Sequence, residues 1–112
     1  MSDERVWKRV EPDLNDPRFQ AAVTELKTMI TAAYPDATFV VERGEDPDGI
    51  YIWATVDIDD PEPVGTLVLK RELDMLVEYG LPIYVIPLTT LERSQRIYRE
   101  EHPDLAPRSS RA

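Results

Sequence analysis

The sequence predicts one α+β domain: a three-stranded sheet, made of a β-hairpin and a crossover strand, with two main helices on one face and a short C-terminal helix, in the order αββαβα. Three observations lead there. Apolar residues between Pro17 and Ala33 recur at helical spacing, two β-branched and aromatic runs flank a dense turn, and a second apolar helix separates that hairpin from the short run Ile83 to Ile86. A strand, a helix and another strand in succession form a crossover, which is right-handed when the two strands lie parallel in one sheet.

The elements follow in chain order. Residues 1–15 read as a polar N-terminal arm with few sizeable apolar side chains, Val6, Trp7 and Val10 among them, and with Trp7 expected to dock on the domain rather than on a partner. A helix begins at Asp16-Pro17, where an N-cap acceptor precedes a proline whose missing N–H costs nothing in the first turn. Phe19, Val23, Leu26, Ile30 and Ala33 fall on one stripe of it, and Pro35 stops it. Thr38 to Glu42 and Ile50 to Asp57 are then the hairpin strands, joined by the turn formers Arg43 to Gly49.

Ile58 to Pro63 is a loop, since two prolines and three acids oppose both ladder and helix. The second helix runs from about Val64 to Tyr79 and ends at Gly80-Leu81-Pro82. Its apolar surface is wide, with Leu69, Leu73 and Leu76 on one stripe and Val64, Val68, Met75 and Tyr79 on another. Ile83 to Ile86 lacks polar alternation, the pattern of a strand covered on both faces. Thr89 and Glu92 fit a capping box, so a short helix to about Glu101 follows, and residues 102–112 are expected to form a disordered tail.

Composition narrows the function. A net charge of −9 works against a phosphate backbone or an anionic lipid surface, so neither nucleic acid nor membrane is an expected partner. There is no cysteine, which removes disulfides, thiolate metal sites and thiol nucleophiles. The start of the chain has no apolar signal core and no apolar run approaches the ~20 residues of a membrane span, so a cytoplasmic protein is expected.

Asp46-Pro47-Asp48-Gly49-Ile50 looks like the middle of a calcium loop, but Gly44 and Thr55 would occupy the first and last ligand positions, where Asp and Glu are needed. Asp57, Asp59, Asp60 and Glu62 could bind a hard cation, yet acids ahead of a helix also suit its N-terminal N–H groups. His102 is the only imidazole and sits at the edge of the tail, without a positioned partner. The glycines at 44, 49, 65 and 80 match no phosphate-binding loop. No catalytic, cofactor-binding or metal-ligating residue is assigned, no cofactor is expected, and the balance leans away from an enzyme.

On the second strand Ile50, Ile52, Ala54 and Val56 share one face, while Tyr51, Trp53 and Thr55 share the other. The aliphatic face should meet the helices, leaving Val40, Tyr51 and Trp53, joined by Tyr84, on an oily reverse side. Aromatic residues concentrate binding energy at interfaces. The candidate interaction surface is therefore Val40, Tyr51, Trp53 and Tyr84 on the sheet, with Val64, Val68, Met75 and Tyr79 on the wide helix. The expected function is a noncatalytic interaction or dimerisation domain, with a second copy or another protein as partner. The alternative is a small-molecule binding protein or enzyme with a pocket over the aromatic face.

From Phe19 to Leu88 the order of helix, hairpin, helix and strand resembles the core of minimal nucleotidyltransferases, and Arg43-Gly44-Glu45-Asp46-Pro47-Asp48 is similar to the approach to their acidic strand. That resemblance implies a Gly-Ser pair, an Asp-x-Asp pair and a third acid holding magnesium and nucleotide. Here Val41-Glu42 stands at the Gly-Ser position, Tyr51-Ile52-Trp53 replaces the acidic start, and Ile83 to Ile86 has no acid. Asp57-Ile58-Asp59 has the spacing of the pair but comes at the strand's end. A shared topology would thus imply an inactive relative, from which no site transfers. The whole chain is also similar to small bacterial proteins with no assigned role.

Overall fold

In the computed structural model, which describes residues 9–103, helix α1 spans Pro17–Ala33. Asp16 caps it by accepting the Arg18 N–H at 2.8 Å, and Pro17 fills the first helical position. Phe19, Ala22, Leu26 and Ile30 are buried, so the stripe read from the sequence is the core face. It stops one turn early, because Ala33 at the helix end is exposed.

Strands β1 (Thr38–Glu45) and β2 (Asp48–Val56) pair antiparallel without a break from Thr38↔Thr55 to Glu45↔Asp48. The connection is Asp46-Pro47 alone, joined by a cis peptide. Most of the segment expected as turn is therefore ladder. Two contacts hold it: Arg43 pairs with Asp48 at 3.0 Å, and the Tyr51 ring lies over Gly44, where a Cβ would approach it to 2.5 Å.

Helix α2 spans Glu62–Tyr79, starting two residues before Val64 because the Asp60 carboxylate accepts the Glu62 N–H at 3.0 Å. It ends at Gly80 in the left-handed region (φ 69°), with Gly80 N–H donating to Leu76 O and Leu81 N–H to Met75 O, a Schellman closure that glycine permits. Strand β3 (Ile83–Thr89) runs parallel to β2, from Ile50↔Ile83 to Val56↔Thr89, giving the sheet order β1-β2-β3.

Helix α3 spans Leu91–Glu101 and its N-cap is Thr90, whose hydroxyl accepts the Arg93 N–H at 3.2 Å. The expected capping residue, Thr89, is instead the last residue of β3, and its hydroxyl donates to the Ile58 carbonyl. The strand runs three residues past Ile86, and the cap falls one residue later than expected.

One core joins Phe19, Leu26 and Ile30 of α1, Ile50, Ile52, Ala54 and Val56 of β2, Val64, Val68 and Met75 of α2, and Ile83 and Val85 of β3. Both main helices thus lie on one face of the sheet, and α1 packs beside α2. Val64, Val68 and Met75 are therefore not a free contact surface, as the sequence suggested, but the buried arc of α2. Two contacts flank this arc: Arg71 pairs with Glu25 of α1 at 2.5 Å, and Glu72 accepts the Val85 N–H at 2.5 Å. Leu69 (51% exposed), Leu73 and Val77 consequently face outward.

Candidate interaction surface

Period-two alternation divides the three strands cleanly. Phe39, Val41, Ile50, Ile52, Ala54, Val56, Ile83 and Val85 turn toward the helices, so Val40, Glu42, Tyr51, Trp53, Thr55, Tyr84, Ile86 and Leu88 share the reverse side. Neither α1 nor α2 reaches that side. Val40 is 61% exposed, and Tyr51, Trp53, Tyr84 and Ile86 remain half-buried. Covering of β3 on both faces, read from its unbroken apolar run, is not what occurs: Ile83 and Val85 are buried and Tyr84 and Ile86 are not.

The aromatic side chains form a continuous ladder. Tyr51 stacks on Trp53 with ring centroids 6.1 Å apart and meets Tyr84 edge-on at 5.5 Å, geometries each worth about 0.5–1.5 kcal/mol beyond area alone. Their polar ends are anchored. The Trp53 indole N–H donates to Glu42 at 2.8 Å, and the Tyr51 hydroxyl donates to the Pro47 carbonyl at 2.7 Å. Desolvation first, then the neighbouring Tyr84 and the acids Asp46 and Asp48, hold the Tyr51 phenol above its ordinary pKa. The rings are thus fixed in place and present their faces.

Two glycines make this possible. Tyr84 lies over Gly49, where a Cβ would stand 2.6 Å from the ring and 2.8 Å from the Pro82 carbonyl oxygen, as Tyr51 lies over Gly44. Read from the sequence, both glycines are turn formers. Their use as seats for rings emerges only from cross-strand register.

Of the helix residues assigned to the surface, Tyr79 alone is exposed, at 57%. It borders a groove with Arg9, Val10, Arg18 and Glu78, away from the aromatic ladder. Other grooves run along α1, lined by Thr24, Lys27, Thr28 and Phe39 in one case and by Phe19, Val23 and Val41 in the next. None of these grooves is lined by Tyr51, Trp53 or Tyr84.

The acidic loop serves α3. Arg93 pairs with Asp57 at 2.5 Å and Asp59 at 2.6 Å, and Arg96 reaches Asp59 at 2.8 Å, so guanidinium groups already engage these carboxylates. Asp60 caps α2. Among the described residues no group of three or more acids or histidines is placed to hold a metal ion. His102 ends α3 and packs on Tyr98, with ring centroids 4.3 Å apart. In the arm, Val10 donates to Gly80 O at 2.8 Å and Glu11 pairs with Arg43 at 3.0 Å. Trp7, like the tail beyond 103, lies outside the described residues.

The positions singled out by the nucleotidyltransferase resemblance are occupied otherwise: Val41 packs under α1, Glu42 holds the Trp53 indole, and Ile83 and Val85 are core. Among the described residues no helix is long and apolar enough to cross a membrane. No protein-family model matches the chain, and neither the curated proteins nor the solved structures yield a match.

Proposed function

We propose that this protein is a noncatalytic, cytoplasmic interaction domain that works as a homodimer and offers its open sheet face to protein. One observation supports the reading above the others: a pre-positioned aromatic ladder, Tyr51, Trp53 and Tyr84 with Val40 beside it, lies on a face that neither main helix covers. Uncovered apolar surface of this kind marks contact sites, and rigid aromatic side chains lose little entropy when a partner covers them. The net charge of −9 favours protein over nucleic acid as that partner.

Sedimentation velocity of the wild-type protein across the micromolar range tests the reading. A concentration-dependent dimer is expected. A strict monomer at high micromolar concentration would remove it.

A further inference from the structure

The two edges of the sheet are treated differently, and the difference says where a second copy belongs. Ile50 donates its N–H to Pro82 O, so alternation along the ladders turns the N–H groups of Ile83, Val85 and the position of Pro87 away from β2 on the β3 edge. That edge is blunted. Pro87 has no N–H, and the Val85 N–H is taken by Glu72. The same alternation places Tyr51 opposite Glu42 as a hydrogen-bonded pair and turns the main-chain groups of Phe39, Val41, Arg43 and Glu45 outward from β1. Among the described residues none of these four N–H groups meets an acceptor. Proline and side chains that accept the outward N–H groups are the usual protections of an edge, and among the described residues β1 has neither.

Beside this edge, under α1, grooves at Phe39 and Val41 are lined by Thr24, Thr28 and Val23 together with Lys27, a flexible side chain whose ammonium lies 5.6 Å from the Phe39 ring centroid. They leave room for the inward-facing side chains of an added strand. Resting on the homodimer reading above, we infer that β1 pairs antiparallel with β1 of a second copy across a two-fold axis, joining the two sheets into one of six strands with both aromatic faces on the same side.

The residues of β1 select the register. Symmetry and the outward main-chain groups allow centres at successive positions of the strand. A centre at Glu42 sets Glu42 against Glu42 of the second copy, and a centre at Arg43 sets two guanidinium groups together, both like-charge contacts. A centre at Val41 faces Val40 with Glu42 and Phe39 with Arg43. A centre at Phe39 leaves little strand to overlap. With the axis at Val40, Val40 meets Val40, Phe39 meets Val41, and Thr38 meets Glu42, so every apolar side chain faces an apolar one and no like charges oppose. Val40, the exposed apolar residue of the strand, is covered.

The absence of native cysteine makes the register directly readable. Val40→Cys is expected to form a disulfide-linked dimer under mild oxidation, because non-hydrogen-bonded partners in an antiparallel pair stand about 4.5 Å apart at Cα. Thr38→Cys and Glu42→Cys should each stay uncrosslinked alone and link to one another when mixed. Val41→Pro, which removes one outward N–H as Pro87 does on the other edge, should convert the wild-type dimer to monomer while its circular dichroism stays native. A wild-type monomer sinks the homodimer reading and this inference with it. A wild-type dimer that gives no Val40→Cys link and survives Val41→Pro, or one abolished by Leu73→Glu on the outward arc of α2, overturns the edge pairing alone. Self-linking of Val41→Cys or Glu42→Cys overturns the register. Should Val41→Pro fail to fold, the cysteine pattern decides by itself.

Discussion

Replacing Glu72 by Gln tests how α2 is held against β3. The Glu72 carboxylate accepts the Val85 N–H at 2.5 Å, and burial against the strand pushes its pKa from the ordinary 4.5 up to about 7, the hydrogen bond offsetting part of the rise. A carboxyl group that holds its proton more tightly in the fold stabilises it fully below about 4.5, and that contribution is lost as pH rises to about 7. The whole difference corresponds to roughly 3 kcal/mol. Solvent on the open side of the group reduces it to about 1–2 kcal/mol. Gln keeps an accepting oxygen and carries no charge. Glu72→Gln should therefore raise stability near pH 8 by about 1–2 kcal/mol, or roughly 5–10 °C in midpoint for a domain of this size, and change little near pH 4. Thermal melts of both proteins across that range, compared as a difference so that the other acids cancel, provide the assay. A pH-independent difference, or a Gln variant less stable near pH 8, would refute the argument.

Gly49→Ala should cost about 2 kcal/mol or more in urea melts, because the added methyl meets the Tyr84 ring and the Pro82 carbonyl, and backbone cannot give way as a side-chain end can. A neutral outcome would show that Tyr84 is not seated there. Ile52→Ala, at a fully buried position of the central strand, should destabilise by about 2–5 kcal/mol, and a smaller loss in denaturant titration would mean the core can collapse around it. Arg93→Ala removes the main tether of α3, so amide exchange along Leu91–Glu101 should accelerate while the global midpoint moves by less than about 1 kcal/mol, the worth of exposed ion pairs. Unchanged exchange would show that α3 is held by something other than Asp57 and Asp59.

Much of the candidate surface was readable before any coordinates, for one reason: a strand's period of two needs no knowledge of the rest of the molecule. Once Ile50, Ile52, Ala54 and Val56 are assigned inward, Tyr51 and Trp53 must point outward. The helix half of the surface was not readable. Val64, Val68 and Met75 compete with Leu69, Leu73 and Leu76 for the core on apolarity alone, and leucine is the larger side chain.

Local chemistry within the sequence determined where the elements lie: Asp16-Pro17 opens α1, Gly80 closes α2, and alternation divides the faces of β2. Each of these rests on groups a few residues apart. Tertiary structure decided the rest, through contacts between residues distant in the chain. Packing of Val64, Val68 and Met75 against α1 and the sheet decides which arc of α2 is buried, and the Arg71–Glu25 and Glu72–Val85 contacts flank it. Arg93 and Arg96 claim the acids of the loop after β2. Sheet order makes β3 a guarded edge and leaves β1 unpaired on its outer side among the described residues, since whether a strand's outward groups find partners depends on what the fold brings beside it.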